Sequence, residues 1–427
     1  MSDRAIAQSS VFGSTKATPW QRAARHASFR LVGQLRHGCI TLIEGDETVL
    51  FGNPDDDLQA TVIVNSPEFY SRMVRGGAVG AGEAYMEGLW DTPDLYPVIR
   101  LIARNVAVFD HLENRWGRAA NAGRWLLHGF RRNSIQGSRK NIHAHYDLGN
   151  DFFQRWLDPQ MMYSSAIYPR EDATLDEASI HKLWTVCRKL KLSTGDHLLE
   201  IGTGWGAMAI HAAQHFGCRV TTATISQEQF ALARERVAVA GLSDRVEVVL
   251  CDYRELSGSY DKLVSIEMIE AVGDAYLDTF FSQCSNLLKP NGVMLLQAIT
   301  CPDQVYEQGK HTIEFVKRHI FPGGQVPSVA RMMDAVRRKT DLRLEHAEDF
   351  GRHYARTLLA WRDNFQREVE DIRAMGYPET FLRMWEYYLS YCAGGFTERQ
   401  IGVCHLVLSK PDCRAVWGVG DSPALAE

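Results

Sequence analysis

Three observations make an α/β fold the expectation for this 427-residue chain. Strand-like apolar runs at 197–202, 219–225, 247–252, 262–268 and 292–300 alternate with amphipathic helical stretches, among them 227–240 and 275–288. Alternation at that spacing gives a parallel sheet covered on both faces. The first run carries Glu200 and is followed by Gly202, Gly204 and Gly206, then by the helical pattern of Ala207, Met208, Ile210, Ala212 and Ala213. A buried strand that turns into a helix through glycines is the ligand turn of doubly wound sheets, whose ligands lie at the strands' carboxyl ends. Two more strand candidates, 343–350 and 403–410, bring the sheet to seven strands, mostly parallel and Rossmann-like, with helical insertions at 311–320 and 354–394.

Composition narrows the class. The chain is 45% hydrophobic and 23% charged, with a net charge of −5. A dedicated nucleic-acid binder would be strongly basic, so nucleic acid is not an expected partner. Nine cysteines are scattered without a C-x-x-C pair, which argues against disulfides and a zinc site and for a reducing cytoplasm. The polar start lacks a signal peptide's apolar core, and no run approaches the roughly 20 apolar residues of a membrane span. Membrane contact is therefore expected to be peripheral.

In chain order, residues 1–19 read as a tail. A helical pattern at 20–37 leads to a β-hairpin, 40–43 and 48–51, turning at Gly45 and Asp46. A third strand at 60–64 precedes helices at 67–75 and 96–106, with the glycine-rich segment 76–88 separating them. This small α+β domain, 1–114, is a candidate for lipid docking or homodimerisation. Between 115 and 140 there are seven basic residues and no acidic ones, interleaved with Trp116, Trp125, Leu126, Leu127 and Phe130. Such a segment reads either as an interfacial element for anionic headgroups or as a solvated linker. The α/β pattern begins after it, giving a catalytic domain at 141–427.

The spacing G-x-G-x-G behind Glu200 suits S-adenosylmethionine better than a dinucleotide. Dinucleotide folds place an acid on the ribose about twenty residues further on, where this chain has Thr221-Thr222-Ala223-Thr224. The glycines admit the methionine moiety, and its ammonium needs an acceptor such as a loop carbonyl or Glu200. Thr224 and Gln229 suit the ribose hydroxyls, and Asp252 suits the adenine.

Several blocks in fixed order make the resemblance specific. They are His145-Tyr146-Asp147-Leu148-Gly149-Asn150-Asp151-Phe152-Phe153, Met162-Tyr163-Ser164-Ser165-Ala166, the glycine turn, Thr224-Ile225-Ser226 with Gln229, and Asp252-Tyr253-Arg254. Glu267-Met268-Ile269-Glu270-Ala271-Val272-Gly273, Ile320-Phe321-Pro322-Gly323-Gly324 and Tyr387-Tyr388-Leu389 with Cys392, Ala393 and Phe396 follow. From Asn141 to about Pro411 the chain resembles the cyclopropane fatty acid synthases, which use S-adenosylmethionine to add a methylene across the double bond of an unsaturated acyl chain. The D/N-P-P-Y/F motif of amino-group nucleic-acid methylases is absent.

The resemblance implies that Tyr163, Ser164, Gly202, Gly204, Gly206, Thr224, Gln229 and Tyr253 line the donor pocket. It also implies a bound bicarbonate as proton acceptor, held by Glu270, Tyr388 and the residues at 165 and 297. Two of these depart from the well-known bacterial enzymes: Ser165 stands for Cys and Gln297 for His. Ala271 also replaces a His. Ser and Gln still hydrogen-bond an oxyanion, and a sub-branch that includes plant enzymes is similar to this chain at these positions.

An alkene is a poor nucleophile, so the chemistry requires an electrophilic methyl donor, leaves a carbocation on the acyl chain, and ends with loss of a proton. The site should be dry, aromatic and equipped with a proton acceptor; Tyr388, with Tyr387, Tyr391 and Phe396, offers ring faces. The expected substrate is an unsaturated phospholipid at the cytoplasmic face of an anionic membrane. Two alternatives stand beside a cyclopropane product: a fatty-acyl C-methyltransferase giving a methylene or methyl branch, and a non-catalytic lipid- or S-adenosylmethionine-binding protein.

Overall fold

The computed structural model describes residues 17–112, 149–309 and 315–417. The tail, the basic segment 115–140, His145 to Leu148 and the start of the 311–320 insertion lie outside the described residues. The chain divides into two compact units.

Unit 1 comprises residues up to 120 together with Glu379–Tyr387. The expected catalytic domain of 141–427 thus cedes nine helical residues to it. The hairpin forms as expected: β1 (Cys39–Glu44) pairs antiparallel with β2 (Glu47–Gly52), and β3 (Gln59–Val64) lies parallel to β1. A short β4 (Trp90–Asp91) completes a four-stranded sheet in the order β2-β1-β3-β4. The glycine-rich stretch corrects the sequence reading. The first helix ends at Gly77, whose φ of +56° and ψ of −140° are not helical, and a second helical segment continues through the glycine-rich stretch to Met86. Gly80 is there for close approach, since a Cβ on it would lie 2.2 Å from the Arg72 carbonyl oxygen.

In unit 2 all seven expected strands form. They are β5 (His197–Ile201), β6 (Arg219–Thr224), β7 (Val246–Leu250), β8 (Tyr260–Ile266), β9 (Leu288–Thr300), β10 (Arg343–Asp349) and β11 (Gly402–Ser409). Their order is β10-β11-β9-β8-β5-β6-β7, with β11 alone running antiparallel to the rest. Successive strand residues alternate between two apolar clusters. Leu199, Leu263, Met294 and Leu296 enter one; Leu198, Val264, Val293 and Leu295 enter the other. A period of two with both faces buried is what makes these strands near-continuous apolar runs.

Strand order places the site. From β5 the chain steps outward to β6 and β7, then returns to the other flank as β8 and β9. Helices over opposite faces diverge at that reversal and leave a crevice at the carboxyl ends of β5 and β8. Around it lie the helix Leu175–Lys189, begun by a Thr174–Glu177 capping box, and the helices Gly351–Arg367 and Glu379–Thr397. The expected long helical stretch 354–394 is three helices, interrupted before Val369–Ala374 and again at Gly376-Tyr377-Pro378. Proline there cannot donate to the preceding turn, and Gly376 takes a φ of +96°. Among the described residues no helix is long and apolar enough to cross a membrane.

Candidate active site at the carboxyl ends of the sheet

The glycine turn follows β5 directly. Gly202, Gly204 and Gly206 all have positive φ, at +101°, +53° and +89°. A Cβ built on Gly204 would meet nothing within 4 Å, so this stretch of backbone borders open space that a ligand can approach. Glu200, on β5, turns into the sheet instead: it is 3% exposed and accepts a 2.6 Å hydrogen bond from Thr222 Oγ1 of the neighbouring strand. Burial pushes its carboxyl up to about 8.

At the end of β6, Thr224 Oγ1 donates to Gln229 Oε1 at 2.9 Å, and Ser226 caps the helix Gln227–Val239. Sequence reasoning paired Thr224 with Gln229, and the structure brings them together. Asp252 is engaged differently: Arg254 Nε and Nη2 reach its two oxygens at 2.8 and 2.7 Å. The Tyr253 ring packs on Phe280, and its buried hydroxyl has no partner. That unfilled hydroxyl and the open space at Gly204 fit a bound S-adenosylmethionine.

Tyr163, Ser164 and Ser165 come from the loop ahead of the helix Leu175–Lys189. Ser164 Oγ accepts from Lys182 Nζ at 3.0 Å. Lys182 is 0% exposed, and burial lowers its ammonium to about 8. Tyr163 Oη lies 3.0 Å from Tyr388 Oη. The Tyr163 ring meets Phe153, Trp156, Trp361 and Phe321 at centroid distances of 5.5, 5.6, 5.4 and 6.2 Å, and Phe321 meets Tyr388 at 6.2 Å. Tyr387 does not share this wall. Neighbours on a helix point about 100° apart, and Tyr387 packs on Tyr85 within unit 1. Phe396 packs on Tyr354 in a tilted arrangement, and Tyr391 lies against Phe315.

The polar centre contains a residue that sequence reasoning did not single out. Glu267, just past β8, has a φ of +48°, a left-handed conformation that costs a non-glycine residue about 1–2 kcal/mol. Its carboxylate gathers three donors. Ser165 N–H and Gln297 Nε2 reach Oε1 at 2.9 and 2.8 Å, and Tyr354 Oη reaches Oε2 at 2.6 Å.

Behind Gln297 stands His405, its cross-strand partner on β11. The Gln297 amide donates to Glu267 and to the Ser165 carbonyl, so its Oε1 accepts from His405 Nε2 at 2.9 Å. Lys189 Nζ meets His405 Nδ1 at 3.0 Å and also pairs with Glu348. The ring is therefore neutral with its proton on Nε2, in keeping with burial driving its pKa well down.

Glu270 lies three residues on. Its Oε1 accepts from Ile299 N–H at 2.6 Å, while its buried Oε2 has no partner. Burial, and then the charge of Glu267, push its carboxyl up to about 8.

Residues 133–406 match the family described as mycolic acid cyclopropane synthetase. The chain belongs to the cyclopropane synthase family. It is 36% identical to the cyclopropane-fatty-acyl-phospholipid synthase of Escherichia coli strain K12, over 82% of this chain and 88% of that protein. It is equally, 36%, identical to the tuberculostearic acid methyltransferase of Mycobacterium tuberculosis, over 82% of this chain and 83% of that protein. Among solved structures it is similar to the mycolic acid cyclopropane synthase CmaA1 complexed with SAH and CTAB. The TM-score is 0.60 and the identity 32%, covering 64% of this chain and 98% of that one. The family places the chain among the S-adenosylmethionine-dependent methyltransferases, and the non-catalytic alternative loses its ground.

Bicarbonate fits these residues less well than the donor does. Of the groups that would hold it, the Gln297 amide is spent on Glu267 and the Ser165 hydroxyl on the Ala166 carbonyl, and two carboxylates already share the space. A third anion there would meet like charge in a dry setting. Sequence reasoning had no sign of Lys182, Tyr354 or His405, which lie on regular elements with nothing in their spacing to mark them.

Proposed function

We propose that the chain transfers a methylene group to the double bond of an unsaturated acyl chain in a membrane phospholipid and closes a cyclopropane ring. One observation carries the reading. A buried carboxylate oxygen without a partner, on Glu270, and an aromatic wall of Tyr163, Phe321 and Tyr388 belong to the same unit as the glycine turn at the sheet's carboxyl ends.

S-adenosylmethionine, when bound, supplies a sulfonium methyl electrophilic enough for an alkene. The glycines of the turn admit it, Thr224 and Gln229 face its hydroxyls, and Tyr163, Ser164 and Tyr253 line its pocket. The aromatic wall excludes water, which would trap a carbocation, and offers ring faces that attract one. Glu270 stands where a proton has to leave.

A second reading keeps the same fold and donor but ends in a methyl or methylene branch. It is favoured by the equal identity, 36%, to the tuberculostearic acid methyltransferase. Lipid analysis of a cyclopropane-lacking bacterium expressing the chain separates the two. Both products gain one carbon; a methylene branch still reacts as an alkene, a cyclopropane does not, and a saturated methyl branch is two hydrogens heavier than either. Unchanged acyl chains would remove both readings. The basic segment 115–140 belongs to the proposal as the peripheral contact with an anionic membrane at its cytoplasmic face.

A further inference from the structure

Ring closure needs a base in a place from which water is excluded. Of the side chains expected to hold an external oxyanion, Gln297 instead donates to Glu267 Oε1, where the Ser165 backbone N–H joins it and Tyr354 takes Oε2, while the Ser165 hydroxyl is turned to the Ala166 carbonyl at 3.0 Å. The three donors favour the anion of this carboxylate, against burial, which raises its pKa above the usual carboxylate value. The neighbouring Glu270 is pinned at Oε1 by Ile299 N–H and keeps Oε2 without a partner. One carboxylate of the pair is saturated and the other is half open.

We propose that Glu267 and Glu270 together form a proton acceptor built into the chain, with Glu270 Oε2 as the accepting atom and Glu267 as the positioning group, so that no external anion is required. The step balances. A C–H bond of the newly attached methyl breaks, its electron pair closes the third side of the ring and discharges the carbocation, and the proton bonds to Glu270 Oε2. The inference rests on the methyl-transfer reading given above.

Among the described residues, the charged and titratable groups facing the pair come from four elements. Burial raises the Glu267 pKa, and Lys182, on Leu175–Lys189, pulls the other way, toward the anion. Tyr354 and Tyr388 are held neutral by burial first, with the charge of Glu267 adding to it. Cys404, on β11, is pushed up to about 12 by burial and then by Asp349 and Glu270, and His405 beside it is neutral. None of these adds a positive charge next to Glu270. Its own carboxyl sits at about 8, so the accepting form grows as pH rises through that value and is lost below it. Removing the Glu267 charge lowers that pKa, and the acid limb moves to lower pH.

The test measures methyl transfer by the full-length protein to unsaturated phospholipid vesicles against pH, in carbon-dioxide-free buffer and with added bicarbonate. Wild type is expected to turn over equally in both. E270Q should lose about 10²–10⁴-fold in kcat with S-adenosylmethionine affinity kept. E267Q should shift the acid limb down by about one pH unit. E267G, in which glycine accepts the positive φ, should do the same with an undisturbed backbone. A wild type that needs bicarbonate, or an unmoved limb in E267G, would overturn the proposal.

Infrared titration of the protonated-carboxyl band reads the pair without turnover. A component that is absent in E270Q and titrates at lower pH in E267G supports the pair; a component unaffected by either change refutes it. If wild type transfers no methyl group at all, the functional reading has failed, and the infrared result still decides whether the two carboxylates are coupled.

Discussion

Gln297 shows how closely the polar centre is tied. Its amide nitrogen holds Glu267 and the Ser165 carbonyl, and its oxygen receives the His405 proton. Gln297→Ala leaves a buried imidazole N–H without an acceptor and removes one donor from Glu267. An orphaned buried polar group costs about 1–3 kcal/mol, so chemical denaturation should show a loss of that size, with turnover falling alongside. Unchanged stability would mean that water replaces the amide.

At this scale the sequence disclosed part of the site. The positions of Gly202, Gly204, Thr224, Gln229 and Glu270 at the carboxyl ends of the sheet were legible, because strand ends and glycine spacing mark where a doubly wound sheet turns. Glu267 was not, although it stands in the same Glu-Met-Ile-Glu run. What aims its carboxylate at Ser165 is a positive φ, and a sequence gives no notice of that for a residue other than glycine.

Elements tell a similar story with a different exception. The strands were readable because a sheet buried on both faces needs unbroken apolar runs. The helical segment between Gly77 and Met86 was not, because glycines inside a helix each cost about 1 kcal/mol relative to alanine and so read as loop. Packing overrides that penalty here: Gly77 turns the chain between the two helical segments, and Gly80 in the second lets the Arg72 carbonyl approach. Gly80→Ala should therefore destabilise unit 1 by about 1–3 kcal/mol, against the usual stabilising direction of that change in a helix. A thermal melt of the variant checks it, and a raised Tm would show that the close approach relaxes freely.

Across the whole molecule, sheet order does most to locate the chemistry. The reversal between β5 and β8 brings Gly202, Thr224, Glu267 and Gln297 to one end of one sheet from widely separated stretches of chain. The domain limits were less legible, since residues 379–387 group with unit 1 while lying inside a helix that continues into unit 2.

Delivery to the substrate is also a property of the full chain. Each basic residue near an anionic bilayer contributes about 1 kcal/mol, screened by salt. Reversing Arg131, Arg132, Arg139 and Lys140 to Glu should abolish co-sedimentation with anionic vesicles at low salt while leaving S-adenosylmethionine binding intact. Equal sedimentation of variant and wild type would assign that segment to a linker role alone.

The most direct measurement of the central claim uses the purified protein, S-adenosylmethionine labelled in its methyl group, and vesicles of unsaturated phospholipid. The label should appear in the acyl chains, at the position of the former double bond, and saturated vesicles should take up none. Label confined to headgroups or protein, or no transfer from the donor under any vesicle composition, would contradict the account.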